Sequence, residues 1–335
     1  MDRVTYTTKT IRKTLKNTNI MKRIILLMAA IGLSFGVMSA QDLATATSTF
    51  NSGAEALAAN NKTGALEYFQ KALSIAEALG EEGKDVAENC KNAIPSTILS
   101  IGKELYNNKD FAGAKARFEE AAKVATEYGN TEVSDEVAEL LPTVSKRIAL
   151  AKVNDAMKAK DINGVIAAYE EAVALDTTDA NTALKFGQFL GNAKKYDEAV
   201  KYLEMAGRNG QEGNAKSLLS TTFLKNAADQ LKAGKYADAV ALAEKANSYK
   251  ENAQAYLVAG QASQKSNKNA DAITNFEKYL ELAPTAKNAN AIAFTVGALY
   301  QQGGNKAKAL EFYKKVENDP QFGPQAKPLI ASLSQ

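Results

Sequence analysis

Residues 183–206 read ALKFGQFLGNAKKYDEAVKYLEMA. Two short amphipathic helices lie back to back in this stretch, with Asn192–Lys195 as the turn between them. Phe186, Gly187 and Leu190 share one face of the first helix, and Ala199, Leu203 and Ala206 share one face of the second. Gly187 and Ala199 are small enough to stand where two helices cross closely, and Tyr196 fills the space beside the turn. One such pair cannot bury its apolar face alone, so copies of it must stack.

The copies are present. The first runs Phe50–Ala76, with Gly53 and Ala56 and then Ala65, Phe69 and Ala72. The second has Ile101, Gly102 and Leu105, the turn Asn108–Asp110, then Phe111, Ala114, Phe118 and Ala121. A third keeps Ala156, Tyr169 and Ala172 but has Val153 for the glycine and Val165 for the first alanine. After the opening stretch come a fifth (Ala227, Gly234, Tyr236, Ala239, Ala243, Ala246) and a sixth (Gly260, Ala272, Phe276, with Pro284 closing it). The seventh carries Val296, Gly297, Tyr300, Gly304, Ala309 and Tyr313, and Gln325–Leu333 reads as a last helix over the open end. Phe69, Phe118, Tyr169, Tyr196, Tyr236, Phe276 and Tyr313 recur with the repeat, as packing between helices requires.

This spacing resembles the tetratricopeptide repeat (TPR): a glycine after a large apolar residue, an apolar residue three on, then alanine, a large residue and alanine. The resemblance covers most of residues 43–333. It implies an all-α fold, a right-handed superhelical solenoid of about seven helix pairs with a C-terminal capping helix. Successive matching residues (Ala65, Ala114, Val165, Ala199, Ala239, Ala272, Ala309) lie 49, 51, 34, 40, 33 and 37 residues apart. The first two steps are therefore too long, and residues 41–160 are expected to be an irregular long-helix part and 161–335 a more regular one. Asp85–Asn107 and Asp135–Lys158 read as long first helices, interrupted or kinked near Pro95 and Pro142.

Residues 1–20 are polar and basic and carry no fold signal, so they are expected to lie outside the native protein. Met21-Lys22-Arg23, the apolar run Ile24–Val37 and the small residues Ser39 and Ala40 follow the order of a secretory signal peptide over 21–40. The run is too short to span a membrane. Of the 41 basic and 38 acidic residues, seven and one fall in residues 1–40, leaving 34 and 37 beyond it. The apparent basicity belongs to the leader, which removes the electrostatic footprint of nucleic-acid binding. The expected location is exported, periplasmic or extracellular, and the overall pattern looks like envelope TPR proteins of Bacteroidetes-type bacteria.

No histidine occurs, so His-based triads, metal sites and proton shuttles are excluded. Gly80-Glu81-Glu82-Gly83-Lys84 lacks the spacing of a phosphate loop, and Glu119-Glu120 and Glu170-Glu171 read as solvated helix surface. The lone Cys90 reads as a buried small hydrophobe. No catalytic residue, cofactor or metal is expected. The function this points to is a non-catalytic protein- or peptide-binding scaffold or adaptor. A structural subunit of an envelope assembly is the alternative, with glycan binding behind it.

In the family, first helices line the concave side, with lining residues three before the central glycine and one, four and five after it. Carried onto this chain, the polar lining comprises Lys103, Tyr106 and Asn107, then Asn154 and Lys158, Gln188 and Asn192, Lys232, and Gln261, Gln264 and Lys265. None of the lining positions is acidic, although 37 acids lie in residues 41–335; Glu55, Glu104, Asp155 and Asp229 sit one residue along, turned by about 100°. The strip is expected to bond an extended backbone through its amides and to favour an acidic partner through its lysines.

Overall fold

The computed structural model describes residues 39–335, and most of the expected leader lies outside them. The described residues form helices only, in seven consecutive pairs. These are α1 (Ser39–Ala58) with α2 (Lys62–Ala78), α3 (Lys84–Asn107) with α4 (Phe111–Glu127), and α5 (Thr131–Ala159) with α6 (Ile162–Leu175). Then come α7 (Ala180–Asn192) with α8 (Tyr196–Ala206), α9 (Glu212–Lys232) with α10 (Tyr236–Tyr249), α11 (Ala253–Lys265) with α12 (Asn269–Leu282), and α13 (Ala289–Gln302) with α14 (Lys306–Lys315). A last helix, α15 (Gly323–Leu333), packs on α14. The chain divides into two compact units, the first ending at Asp176 and the second spanning Thr177–Gln335. The break thus falls one helix later than the change in repeat regularity at residue 160.

All seven pairs turn in the same way. The residue two before each second helix has positive φ: Asn60, Lys109, Lys160, Lys194, Gly234, Asn267 and Gly304. The next residue's N–H then reaches back five positions, as Asn61 to the Ala56 carbonyl at 2.8 Å and Lys268 to that of Ser263 at 2.9 Å. This is the Schellman closure, which satisfies carbonyls that the helix end would leave orphaned.

Each pair then crosses at one contact, between the central residue of the first helix and the residue 16 positions later. A Cβ built on Gly53 would stand 2.7 Å from the Phe69 ring, on Gly102 2.7 Å from Phe118, and on Gly260 2.5 Å from Phe276. On Gly187 it would stand 2.7 Å from Leu203, and on Gly297 2.9 Å from Tyr313. The degenerate third pair uses Val153 and Tyr169, both buried, and the fifth uses Ala227 and Ala243, both fully buried. Tyr196 and Tyr236, read from sequence with the core aromatics, belong to a different position: they open α8 and α10 and are only partly buried.

The proline expectation needs correcting. α3 and α5 run through Pro95 and Pro142 without a break. Each proline leaves the carbonyl four residues back, that of Lys91 or Ala138, without its helical N–H partner, and the hydroxyls just after it bond other carbonyls of that turn. Thr97 donates to Ala93 at 2.7 Å, Ser96 to Asn92 at 2.9 Å, and Thr143 to Glu139 at 3.4 Å. Cys90 is fully buried, and its thiol is pushed up to about 12, by burial first and by Glu77 second.

Neighbouring repeats are tied by polar contacts. Glu104 pairs with Lys62, and the Tyr300 hydroxyl donates to Glu277 at 2.8 Å. Asp229 accepts from the Tyr196 hydroxyl at 2.8 Å and pairs with Lys194 Nζ at 2.9 Å. Lys194 and then Tyr196 hold the Asp229 carboxyl below its ordinary range. The Tyr196 phenol is pushed up to about 12, by burial and then by Asp229.

Two predictions follow from the packing. Gly260→Ala should cost about 1–3 kcal/mol in chemical denaturation, the range for overpacking a core. Gly213→Ala, where an added Cβ meets nothing within 4 Å, should instead stabilise by about 0.5–1 kcal/mol. A depressed folded pKa makes the Asp229 contribution present above the ordinary carboxylate value of about 3.9 and lost as pH falls through the folded one. The denaturation midpoint of the wild-type chain should therefore exceed that of Asp229→Asn at pH 7, and the gap should close in acid. A pH-independent gap would contradict the assignment.

Candidate protein-interaction surface

The first helix of each pair supplies the candidate strip, and burial sorts its positions by what the fold requires of them. Three residues before the crossing point, Phe50, Leu99 and Leu257 are buried in the core, and Leu150, Leu184, Leu224 and Phe294 are partly buried. This position is a packing site. Five residues after the crossing point, Ala58, Asn107, Lys158, Asn192, Lys232, Lys265 and Gln302 are all exposed. They close the first helices beside the turns, where no neighbouring helix covers them.

In the first unit the polar candidates are partly committed to the fold. Lys103 is mostly buried, and its Nζ lies 2.6 Å from Glu136 on the extended N-terminal part of α5. The long helix thus neutralises a lysine that a regular repeat would leave free. Tyr106 packs edge-on against Phe111, ring centroids 5.3 Å apart, at the turn between α3 and α4. Asn107 and Asn154 are exposed. Lys158 is also exposed, and stands 3.5 Å from Asp155 one turn back on the same helix.

In the second unit the candidates are freer. Gln188 on α7 and Gln264 on α11 are exposed, and Gln261 is partly so. Asn192 accepts from Lys225 Nζ at 2.7 Å, which links the end of α7 to α9. Lys232 and Lys265 are exposed and make no ion pair among the described residues. The unit therefore presents amides and two unpaired ammonium groups from successive first helices.

The acids one position along the helix have a structural use. Glu104 and Asp229 turn toward the preceding repeat and tie it, through Lys62 in one case and through Lys194 and Tyr196 in the other. That role explains why they leave the strip. Sequence reasoning missed these ties, although the separation of 33 residues between Tyr196 and Asp229 is itself a repeat length. It also missed Glu136, whose helix extension has no counterpart in a regular repeat.

Among the described residues no group of three or more His, Cys, Asp or Glu is placed to hold a metal ion. No described helix is long and apolar enough to cross a membrane.

Comparison with known proteins bears on the helix pair α11–α12. Residues 253–285 match the profile described as "Tetratricopeptide repeat". No curated protein matches the chain in sequence. Among solved structures, MamA from residue 41 onward of Desulfovibrio magneticus RS-1 is similar at 16% identity and a TM-score of 0.34, over 52% of this chain and 94% of that one. YrrB, titled a TPR protein with an unusual peptide-binding site, is similar at 22% identity and a TM-score of 0.33, over 52% and 88%. PilF of Pseudomonas aeruginosa covers 72% of this chain and 99% of its own at 14% identity and a TM-score of 0.31. These scores are too low to transfer any residue. Residues 253–285 match the tetratricopeptide-repeat profile, and the other six helix pairs share the positive-φ turn and the crossing spacing of that pair.

Proposed function

We propose that this chain is a non-catalytic scaffold that binds a protein or peptide in the bacterial envelope, with residues 21–40 as its export signal. The observation that carries the reading is the exposed row on the first helices of the second unit: Gln188, Gln264, Lys232 and Lys265. The fold uses none of these four side chains, and all four stand at the positions where tetratricopeptide repeats take up a peptide. Amides can pair with an extended backbone, and the two lysines favour a carboxylate-bearing partner. Among the described residues, the exposed large apolar side chains (Tyr68, Met157, Ile162, Leu282) belong to four different helices and form no broad apolar face of the kind obligate assembly uses. The absence of histidine removes the commonest general base.

Affinity capture from envelope extract, with the full chain and its Lys158→Glu, Lys232→Glu, Lys265→Glu variant as paired baits, tests the binding surface. A protein retained by the wild-type bait and lost from the variant, at equal helicity by circular dichroism, is the expected result; equal retention would remove the strip from the account. Intact mass of the exported chain tests the leader. It should begin at Ala40 or Gln41, and a mature chain starting upstream of residue 38 would exclude the signal-peptide reading.

A further inference from the structure

The second helices of the two units begin differently. In the first unit the residue before each is Asn61, Asp110 or Asp161, and its side chain accepts from the N–H three residues on, at 2.9–3.0 Å. In the second unit the same position holds Lys195, Lys235 and Lys268, none of which caps its helix, and only Asn305 resumes the pattern. Lysine is a poor choice there on two counts. It cannot accept from the free N–H groups, and its charge meets the positive end of the helix dipole. Three consecutive repeats bear this cost.

At the later turns the first-turn acids Asp238 and Asp271 offset part of the dipole cost, but no side chain supplies the missing cap. Lys195 reaches Glu198 at 3.6 Å, but Lys235 and Lys268 are exposed and make no ion pair among the described residues, and the same holds for Lys306 at the last turn. These turns lie along one edge of the unit. Tyr196 at one turn bonds Asp229 near the next, and Asn269 bonds Gln302 across the last two turns at 3.0 Å. The charge of the chain is divided to match. Residues 41–176 hold 14 basic and 22 acidic side chains, whereas 177–335 hold 20 and 15.

We infer that this turn edge of the second unit, marked by Lys235, Lys268 and Lys306, is a docking surface for an acidic segment of a partner protein. It adjoins the first-helix strip, three residues beyond Lys232 and Lys265, and the lysines stand there for recognition at the expense of helix capping. The pattern favours protein over polyphosphate, because Asp238 and Asp271 lie in the first turns of α10 and α12, between the lysines. A nucleic-acid strand, whose charge is fixed along its backbone, or a membrane would meet them as repulsion, whereas a polypeptide can turn its flexible carboxylate side chains toward the lysines and away from them.

Binding of poly-L-glutamate to the full chain, followed by fluorescence anisotropy over a range of salt, tests this. Single-stranded oligothymidylate and phosphatidylcholine–phosphatidylglycerol vesicles serve as parallel probes. The variant Lys235→Asn, Lys268→Asn, Lys306→Gln should bind poly-L-glutamate roughly tenfold more weakly, the loss expected from three exposed charge pairs. Its thermal midpoint should stay the same or rise, since asparagine restores the cap that Asn305 supplies at the last turn. Lys235→Gln with Lys268→Gln, which adds no cap, should weaken binding without that rise. Unchanged poly-L-glutamate binding by both variants would overturn the inference, as would tighter binding of oligothymidylate or vesicles than of poly-L-glutamate. Loss of binding only in a Lys232→Glu, Lys265→Glu variant would also overturn it while leaving the first-helix strip intact.

Discussion

The contact on which the structure depends is the approach of a glycine-sized residue in each first helix to the large residue 16 positions later. Gly260 against Phe276 shows its tightness: a methyl group placed there would stand 2.5 Å from the ring. Close approach lets a helix of three to four turns bury a full face against its partner, and that buried face, more than helix propensity, stabilises short helices. Where the glycine is lost the crossing survives by exchange of volume. Ala227 meets the small Ala243, and Val153 stands with Tyr169 at the crossing with both side chains buried.

Repetition of this contact leaves the side chains of a pair in distinct classes. Those three residues before the crossing are buried or partly buried against the core, among those two after it Glu104 and Asp229 tie successive repeats, and those five after it remain exposed at the turn. Binding capacity in such an array therefore resides in the classes the fold does not consume. The two units use those classes differently. The first spends Lys103 on Glu136 and caps its second helices with Asn or Asp, while the second leaves Lys232 and Lys265 unpaired and places lysine where a cap belongs.

Much of the fold was legible in the sequence because the crossing demands small and large residues at a fixed spacing. Gly187 with Leu203 and Gly102 with Phe118 announce their pairs without any other information. The continuity of α3 and α5 was not legible, because proline alone predicts a break, whereas packing of each long helix against both neighbours outweighs the one lost bond. The candidate strip was legible in part. Exposure of Gln188, Lys232 and Lys265 follows from their offset from the crossing, but the loss of Lys103 to Glu136 depends on a helix extension outside the repeat. Tyr196 was legible as the residue beside its turn, but its recurrence with the packing aromatics did not separate it from them, because recurrence marks the turn as well as the core.

The claim at the centre of this account is that a protein partner engages the side chains that the second unit leaves unused. Amide hydrogen exchange of the full chain, with and without the captured partner, tests it most directly. The account predicts added protection in the C-terminal turns of α7, α9 and α11 and in the turns that follow them. Protection confined to α1–α4, or to the outward faces of second helices away from those turns, would contradict it.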